Sequence, residues 1–446
     1  MSEIPRRTFT RTARLASLPI GAMSRSAASF GKRLTGVSAE EIAADNQART
    51  AEQLFRVLGE LKGGAMKIGQ ALSVMEAAFP EDVAAPYRAS LTKLQDSAPP
   101  MSMTTVDGVM RGEFGENWRD RFLEFSETPA ASASLGQVHQ AVSKDGRKVA
   151  VKIQYPGADK ALLNDFEQAA RFARIAQPIA PGLDFKSLMD EMRKVLAEEL
   201  DYFREAQAQR KFALSYDGDP NVRIPHILAA TAHVLISEWL EGTPLSRIIE
   251  SGTKEQRDHA GELYQTFLLS GPSRVGMLHA DPHPGNFRIT PDNKLGVLDF
   301  GAVARLPEGF PSAMGQLLAI AMTGDADRVI EVMRSQNFIL PDVEISPTAV
   351  LNYLSPFTEP AQTEKFEFNR DWMREQFGRV NDPRNPDFST GLKLNLPAQY
   401  VLVHRVWLGC IGVLSQLNAE VGVRAEIERS MPGFLDYLAN SSAKSA

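Results

Sequence analysis

His279-Ala280-Asp281-Pro282-His283-Pro284-Gly285-Asn286-Phe287, followed by Val297-Leu298-Asp299-Phe300-Gly301, is the stretch that decides how this chain reads. An Asp, an Asn five residues on and a second Asp in Asp-Phe-Gly form a phosphoryl-transfer signature. Asp281 can orient a nucleophile or accept its proton, and Asn286 with Asp299 can hold Mg²⁺ against nucleotide phosphates. Apolar strand-like segments bracket both turns, which sets them apart from plain acidic turns capped by Pro and Gly. His279 and His283 invite a metal reading, but Pro282 and Pro284 exclude the regular helix that a zinc pair four residues apart requires. Both histidines therefore read as scaffold of a rigid loop.

Upstream, the period shifts to strands from Trp118. A small-residue loop, Ala131-Ser132-Ala133-Ser134-Leu135-Gly136-Gln137, leads to a turn at Lys144–Arg147 and a Val-Ala-Val-Lys strand over Lys148–Gln154. This is the plan of a kinase N-lobe, with Lys152 on the nucleotide phosphates. The loop departs from a Gly-rich loop, because only Gly136 remains to permit close packing of backbone on phosphate. Ser132 and Ser134 hydroxyls are the donors left to it. The pattern then predicts one long acidic helix over 186–213, with Glu198, Asp201 and Glu205 on one face. One of its carboxylates is expected to pair with Lys152, and spacing does not choose among Glu198, Glu199 and Glu205. Strands are expected over Val222–Ile227 and His233–Ser237. Glu238-Trp239-Leu240-Glu241-Gly242 then reads as a hinge where backbone groups of Glu238 and Leu240 meet adenine.

Further helices are expected over Asp258–Leu269, Ala313–Met322, Ala326–Met333, Pro397–Leu417 and Glu426–Leu438, with 355–395 a mobile insert or loop. The expected divisions are a basic arm (1–38), a helical extension (39–102), an N-lobe (103–240) and a helical C-lobe (241–446). The arm carries Arg6, Arg7, Arg11, Arg14, Arg25, Lys32 and Arg33 against Glu3, a charge of +6 within a chain of −6, so the remainder is −12. An acidic body argues against nucleic-acid binding. The arm could rest on an anionic membrane surface or stay solvated. Cys410 is the only cysteine, which excludes an internal disulfide and fits a reducing, cytoplasmic setting. The run Tyr400–Leu414 is broken by His404 and Arg405 and reads as too short and charged to span a bilayer. In the extension, Lys67-Ile68-Gly69-Gln70 taken alone is an exposed Lys and Gln beside an apolar helix stripe.

In combination these motifs resemble the UbiB/AarF family of atypical kinase-like proteins, over roughly residues 10–440. The resemblance rests on Lys67-Ile68-Gly69-Gln70, the Ala-rich loop ending in Gly136-Gln137-Val138-His139, Lys152, Glu199-Leu200-Asp201, and the two stretches quoted first. It implies an α+β, protein-kinase-like two-lobed fold with the helical extension packed over the active site. It implies that Lys67 and Gln70 meet Glu199 and Asp201 as gating residues, and that Glu205 is the partner of Lys152. It implies ATP or ADP with Mg²⁺, ATP hydrolysis, and a link to isoprenoid quinone biosynthesis or lipid homeostasis.

The leading expectation is thus an atypical kinase or ATPase. Its catalytic residues are Asp281, Lys152 and Lys67. Its nucleotide contacts come from Ala131, Ser132, Ala133, Ser134, Gly136, Gln137, Lys152, Glu205, Glu238 and Leu240, and its metal ligands are Asn286 and Asp299. The acceptor is water or a small or lipid molecule, such as a quinone precursor, and contact with the inner face of a membrane is peripheral. The alternatives are a nucleotide-gated lipid scaffold and a phosphotransferase of the aminoglycoside-kinase type. The sequence sets no oligomeric state.

Overall fold

The computed structural model describes residues 100–133, 135–158, 185–381 and 385–445. The basic arm, the extension with Lys67 and Gln70, and Ser134 lie outside the described residues. The chain divides into two units, Met1–Arg171 and Phe172–Ala446, and its fold is α+β.

In the first unit, helix α1 (Met103–Phe114) opens on Ser102, whose hydroxyl accepts from the Thr105 amide. The Trp118 indole N–H donates to Asp107 at 3.0 Å and secures the helix to the sheet edge. Strands β1 (Phe122–Phe125), β3 (Gly136–Ser143) and β4 (Lys148–Gln154) form an antiparallel sheet, and β2 (Ala131–Ala133) folds back on β3. Strand β4 alternates cleanly. Val149, Val151 and Ile153 are fully buried on one face, and Lys152 is half-buried on the other. Lys152 pairs in register with Val138, which pairs in turn with Ala131. At Gly136 an added Cβ would lie 2.1 Å from the Ile153 carbonyl oxygen, so β3 and β4 close only around glycine.

The second unit begins with a departure from expectation. The single helix expected over 186–213 is two: α2 (Phe185–Glu199) and α3 (Tyr202–Ser215). Asp201 breaks them. Its backbone is extended, and its carboxylate accepts from the Phe203 and Arg204 amides as an N-cap. Asp competes well for that position and poorly for a helix interior. Glu198, Asp201 and Glu205 therefore share no single helix face.

Four short strands follow, β5 (Val222–Arg223), β6 (Ile227–Ala230), β7 (Val234–Glu238) and β8 (Thr243–Pro244), then helix α4 (Leu245–Ser251). Helix α5 (Lys254–Val275) is the axis of this unit. It starts at a Thr253/Gln256 capping box and ends on Gly276 in the left-handed region. Strands β9 (Met277–His279), β10 (Phe287–Ile289), β11 (Leu295–Val297) and β12 (Val303–Arg305) follow. Strand β12 pairs with β9, and β10 is flanked by β8 and β11. Helices α6 (Ser312–Thr323), α7 (Ala326–Ser335), α8 (Pro347–Tyr353), α9 (Arg370–Asn381), α10 (Pro386–Lys393), α11 (Val401–Leu417), α12 (Val423–Ser430) and α13 (Phe434–Ser445) come after them, with a helical turn at Ser355–Thr358 and a short strand pair, Phe366–Glu367 with Glu420–Val421.

Two other expectations change. The segment 355–395, read as a mobile insert, holds α9 and α10. Arg379 ties α9 to Asp387 at 2.9 Å and to the Asn352 carbonyl. The helix expected over Glu426–Leu438 is divided, because Pro432 and Gly433 follow Met431 and Gly433 takes φ +81°.

The core around α5 is aromatic. The ring of Phe267 lies 5.9 Å from Phe212, 5.6 Å from His279 and 6.1 Å from Phe287, and itself is fully buried. Phe267→Ala should lower unfolding free energy by about 3–5 kcal/mol, read by denaturant titration. A loss below 1 kcal/mol would show that these rings do not act as one packed unit.

Candidate functional site

The second unit brings Asp281, Asn286 and Asp299 together through backbone. Strand β9 ends at His279, and the Ala280 amide donates to Ala302 at 2.9 Å. The loop then turns through Pro282 and Pro284. The His283 ring accepts from the Gly285 amide at 3.1 Å and so caps the short turn Pro284–Asn286. The Asn286 side-chain amide donates to the Asp281 carbonyl at 3.2 Å, which closes the loop on itself. The Asn286 carbonyl accepts from the Leu298 amide at 2.9 Å, which sets Asp299 beside it. Asp299 in turn accepts from the Gly301 amide through Oδ1 at 2.9 Å.

His279 joins the two halves. Its Nε2–H donates to the Asp299 carbonyl at 2.6 Å, and its Nδ1 is buried without a partner among the described residues. Burial pushes its pKa below the ordinary histidine value, so the ring is neutral and the Nε2–H tautomer is the one that fits. The Phe300 ring packs 5.3 Å from His279 and 5.0 Å from Phe212 of α3. The other side of Asp-Phe-Gly faces Glu205: a Cβ built at Gly301 would lie 3.6 Å from Glu205 Oε2. Glu205 is 2% exposed and Glu199 6%, whereas Glu198 forms an ion pair with Arg204. A cavity of about 480 Å³ opens between α3 and Phe300–Val303, with Glu205 and Gly301 on its wall.

Asp281 is 4% exposed, and Arg405 from α11 lies 3.2 Å from its Oδ1. Motif spacing does not point to that arginine, which appears in the sequence only as a charge interrupting an apolar run. The span Ala398–Leu417 is 20 residues and, by length and composition, long and apolar enough to cross a membrane; 67% of its apolar window is buried within the protein. The helix is thus longer than the apolar run Tyr400–Leu414 read from the sequence. Its burial and the Arg405–Asp281 pair make it a core helix.

Other expected site residues are held in ways that only the structure reveals. Glu238 Oε2 accepts from Arg223 at 3.0 Å and from the His226 amide at 3.1 Å. The Leu240 carbonyl, offered to adenine by the sequence, accepts from Arg288 at 2.6 Å. In the first unit the Gln137 amide is committed to protein: its Oε1 accepts from the Met101 amide at 2.7 Å, and its Nε2 donates to His139 at 2.7 Å. Its side chain is 1% exposed and serves packing instead of lining an open loop. Ala131, Ser132 and Ala133 form β2 and pair in register with Val138, Gln137 and Gly136 of β3. Lys152 is described only within its own unit.

The donor set suits a hard cation. Asn286 and Asp299 present oxygens, and Mg²⁺ is ordinarily held by one or two such side chains with phosphates and water. Among the described residues no group of three or more His, Cys, Asp or Glu could hold a metal, so a dedicated protein cage is not what this site offers. Cys410, a buried residue of α11, has its thiol pushed up to about 12 by burial and is no nucleophile.

The buried His279 sets a pH dependence. Its folded pKa lies below the unfolded value, so the unfolded chain binds more protons as pH falls through about 6.5. Stability is fully present above that pH and declines below it. His279→Gln, which keeps a donor but cannot titrate, should flatten the fall in melting temperature between about pH 7.5 and 5.5. An unchanged slope would show that this ring does not contribute.

The ABC1 atypical kinase-like domain matches residues 93–333. The atypical kinase coq-8, mitochondrial, of Caenorhabditis elegans is 28% identical over 76% of this chain and 46% of its own length. The protein ACTIVITY OF BC1 COMPLEX KINASE 3, chloroplastic, of Arabidopsis thaliana is 32% identical over 68% of this chain and 43% of its own. The chain thus spans about half the length of these curated relatives. A solved structure, Rv3197 with erythromycin from Mycobacterium tuberculosis, is 42% identical, covers 89% of this chain and 99% of its own, and superposes with a TM-score of 0.66. With its protein-kinase-like fold and its Asp281/Asn286/Asp299 loops, the chain belongs to the ABC1 atypical kinase-like family, the UbiB/AarF family.

Proposed function

We propose that this chain is an Mg²⁺-dependent nucleotide-binding enzyme that hydrolyses ATP or passes its phosphoryl group to a small or lipid acceptor. The observation that carries the reading is the closed loop in which Asn286 bonds the Asp281 carbonyl and Leu298 bonds the Asn286 carbonyl. It links the loop of one buried carboxylate, Asp281, and of Asn286 to the segment that carries Asp299. Asn286 and Asp299 would hold the ion, which supplies neutralisation of phosphate charge. Asp281 orients or deprotonates the attacking hydroxyl or water. Lys152 is assigned to the phosphates. Lys67 and Gln70 with Glu199 and Asp201 are assigned to gating, as the family implies.

Family membership supports a role in isoprenoid quinone biosynthesis or membrane lipid homeostasis, and the basic arm at 1–38 supports peripheral contact with an anionic membrane. A second reading, a nucleotide-gated binder of a large apolar small molecule, is favoured by the likeness to Rv3197, whose solved complex holds erythromycin. Titration of erythromycin with and without Mg²⁺–ADP separates the two. Binding gated by nucleotide in a chain without turnover supports the second.

Asp299→Asn should remove the Mg²⁺-dependent part of nucleotide affinity, measured by calorimetry; unchanged affinity would overturn the assignment. Asp281→Asn should keep Mg²⁺–ADP affinity within a few-fold while ATP turnover falls about 10²–10⁴-fold. Turnover preserved in that variant would remove Asp281 from the chemistry.

A further inference from the structure

The loop that carries Asp281 has no cation free to serve it. Between Asp281 and Asn286 lie Pro282, His283, Pro284 and Gly285, and the His283 ring is occupied in accepting from Gly285. The positive charge comes instead from 124 residues downstream, where Arg405 Nη2 of α11 meets Asp281 Oδ1 at 3.2 Å. One turn further along the same helix, Gly409 packs against the next residue of the loop. A Cβ there would lie 2.2 Å from Pro282 Cγ. From α5, the Tyr264 hydroxyl donates to the Pro282 carbonyl at 2.5 Å. Two helices thus grip the loop at adjacent residues, one by charge and contact and one by a hydrogen bond.

Resting on the functional reading above, we infer that Arg405 is a positioning residue for Asp281. The guanidinium fixes the rotamer of the buried carboxylate through Oδ1 and offsets the repulsion between that carboxylate and an incoming polyphosphate. Gly409 sets how closely Arg405 can approach. A guanidinium suits this task better than an ammonium, because its planar fork fixes direction as well as charge. The effect belongs to turnover more than to nucleotide binding, since a misplaced base by about 1 Å can cost about 10²-fold in rate.

The test uses the full chain and Mg²⁺–ATP turnover. Arg405→Met should lower kcat about 10²-fold with KM for ATP within threefold, and Arg405→Lys should restore only part of the loss. Millimolar methylguanidinium should raise kcat of Arg405→Met at least tenfold and leave the wild type unchanged. Gly409→Ala should reproduce the kcat loss with Arg405 still in place. Mg²⁺–ADP affinity retained in each variant reports that the fold persists. A kcat within twofold of wild type in Arg405→Met, a loss confined to KM, or a loss of ADP affinity equal to the loss of turnover would each overturn the inference. No turnover in the wild type would overturn the functional reading, and this inference with it.

Discussion

The bond from His279 Nε2–H to the Asp299 carbonyl is the constraint on which the rest of the site depends. It is short, it lies among rings that exclude water, and its donor is neutral because burial penalises the imidazolium. A hydrogen bond in such a setting costs a great deal to break, since the carbonyl would be left unsatisfied in an apolar core. One imidazole therefore fixes the spacing between the loop of Asp281 and Asn286 and the loop of Asp299. The Phe300 ring continues the same packing to Phe212, so that α3, with Glu205, is held to the far side of Asp-Phe-Gly.

Helix α11 shows how one element can serve as core and as part of the site. Eleven of its residues are buried, from Val403 to Leu417, and its apolar character is explained by the α5 surface it covers. Its single arginine is at the edge of that surface, where it reaches Asp281 while remaining one-third exposed. An apolar helix that carries a charge satisfied inside the protein is a packing element, whatever its length. The segment Glu238–Leu240 is fixed in a comparable way, by Arg288 on the Leu240 carbonyl and Arg223 on Glu238.

Much of this was legible in sequence because the chemistry is local. Asp281, Asn286 and Asp299 lie within 19 consecutive residues, and the strands and prolines around them leave few ways to fold. Strand β4 was legible because its alternation is undisturbed from Lys148 to Ile153. What was not legible depends on distance or on competition between local preferences. Arg405, Arg288 and Arg223 meet the site from remote positions, and no spacing rule encodes such partners. The break at Asp201 required a capping preference to win over a charge pattern that suits one continuous helix. The helices within 355–395 arise from tertiary ties such as Arg379–Asp387, in a composition that otherwise reads as loop. Gln137 shows the reverse case. Its place in a motif suggested ligand contact, and its burial against Met101 and His139 assigns the side chain to structure.

In the function proposed above, the Asp281–Asn286 loop and the Asp-Phe-Gly loop form one Mg²⁺–nucleotide site coupled through His279. Amide hydrogen exchange of the full chain, with and without Mg²⁺–ADP, tests it most directly. Peptides covering 277–289 and 297–305 should gain protection together, at one nucleotide midpoint, and only when Mg²⁺ is present. Protection confined to one of the two segments, or arising equally without Mg²⁺, would contradict it.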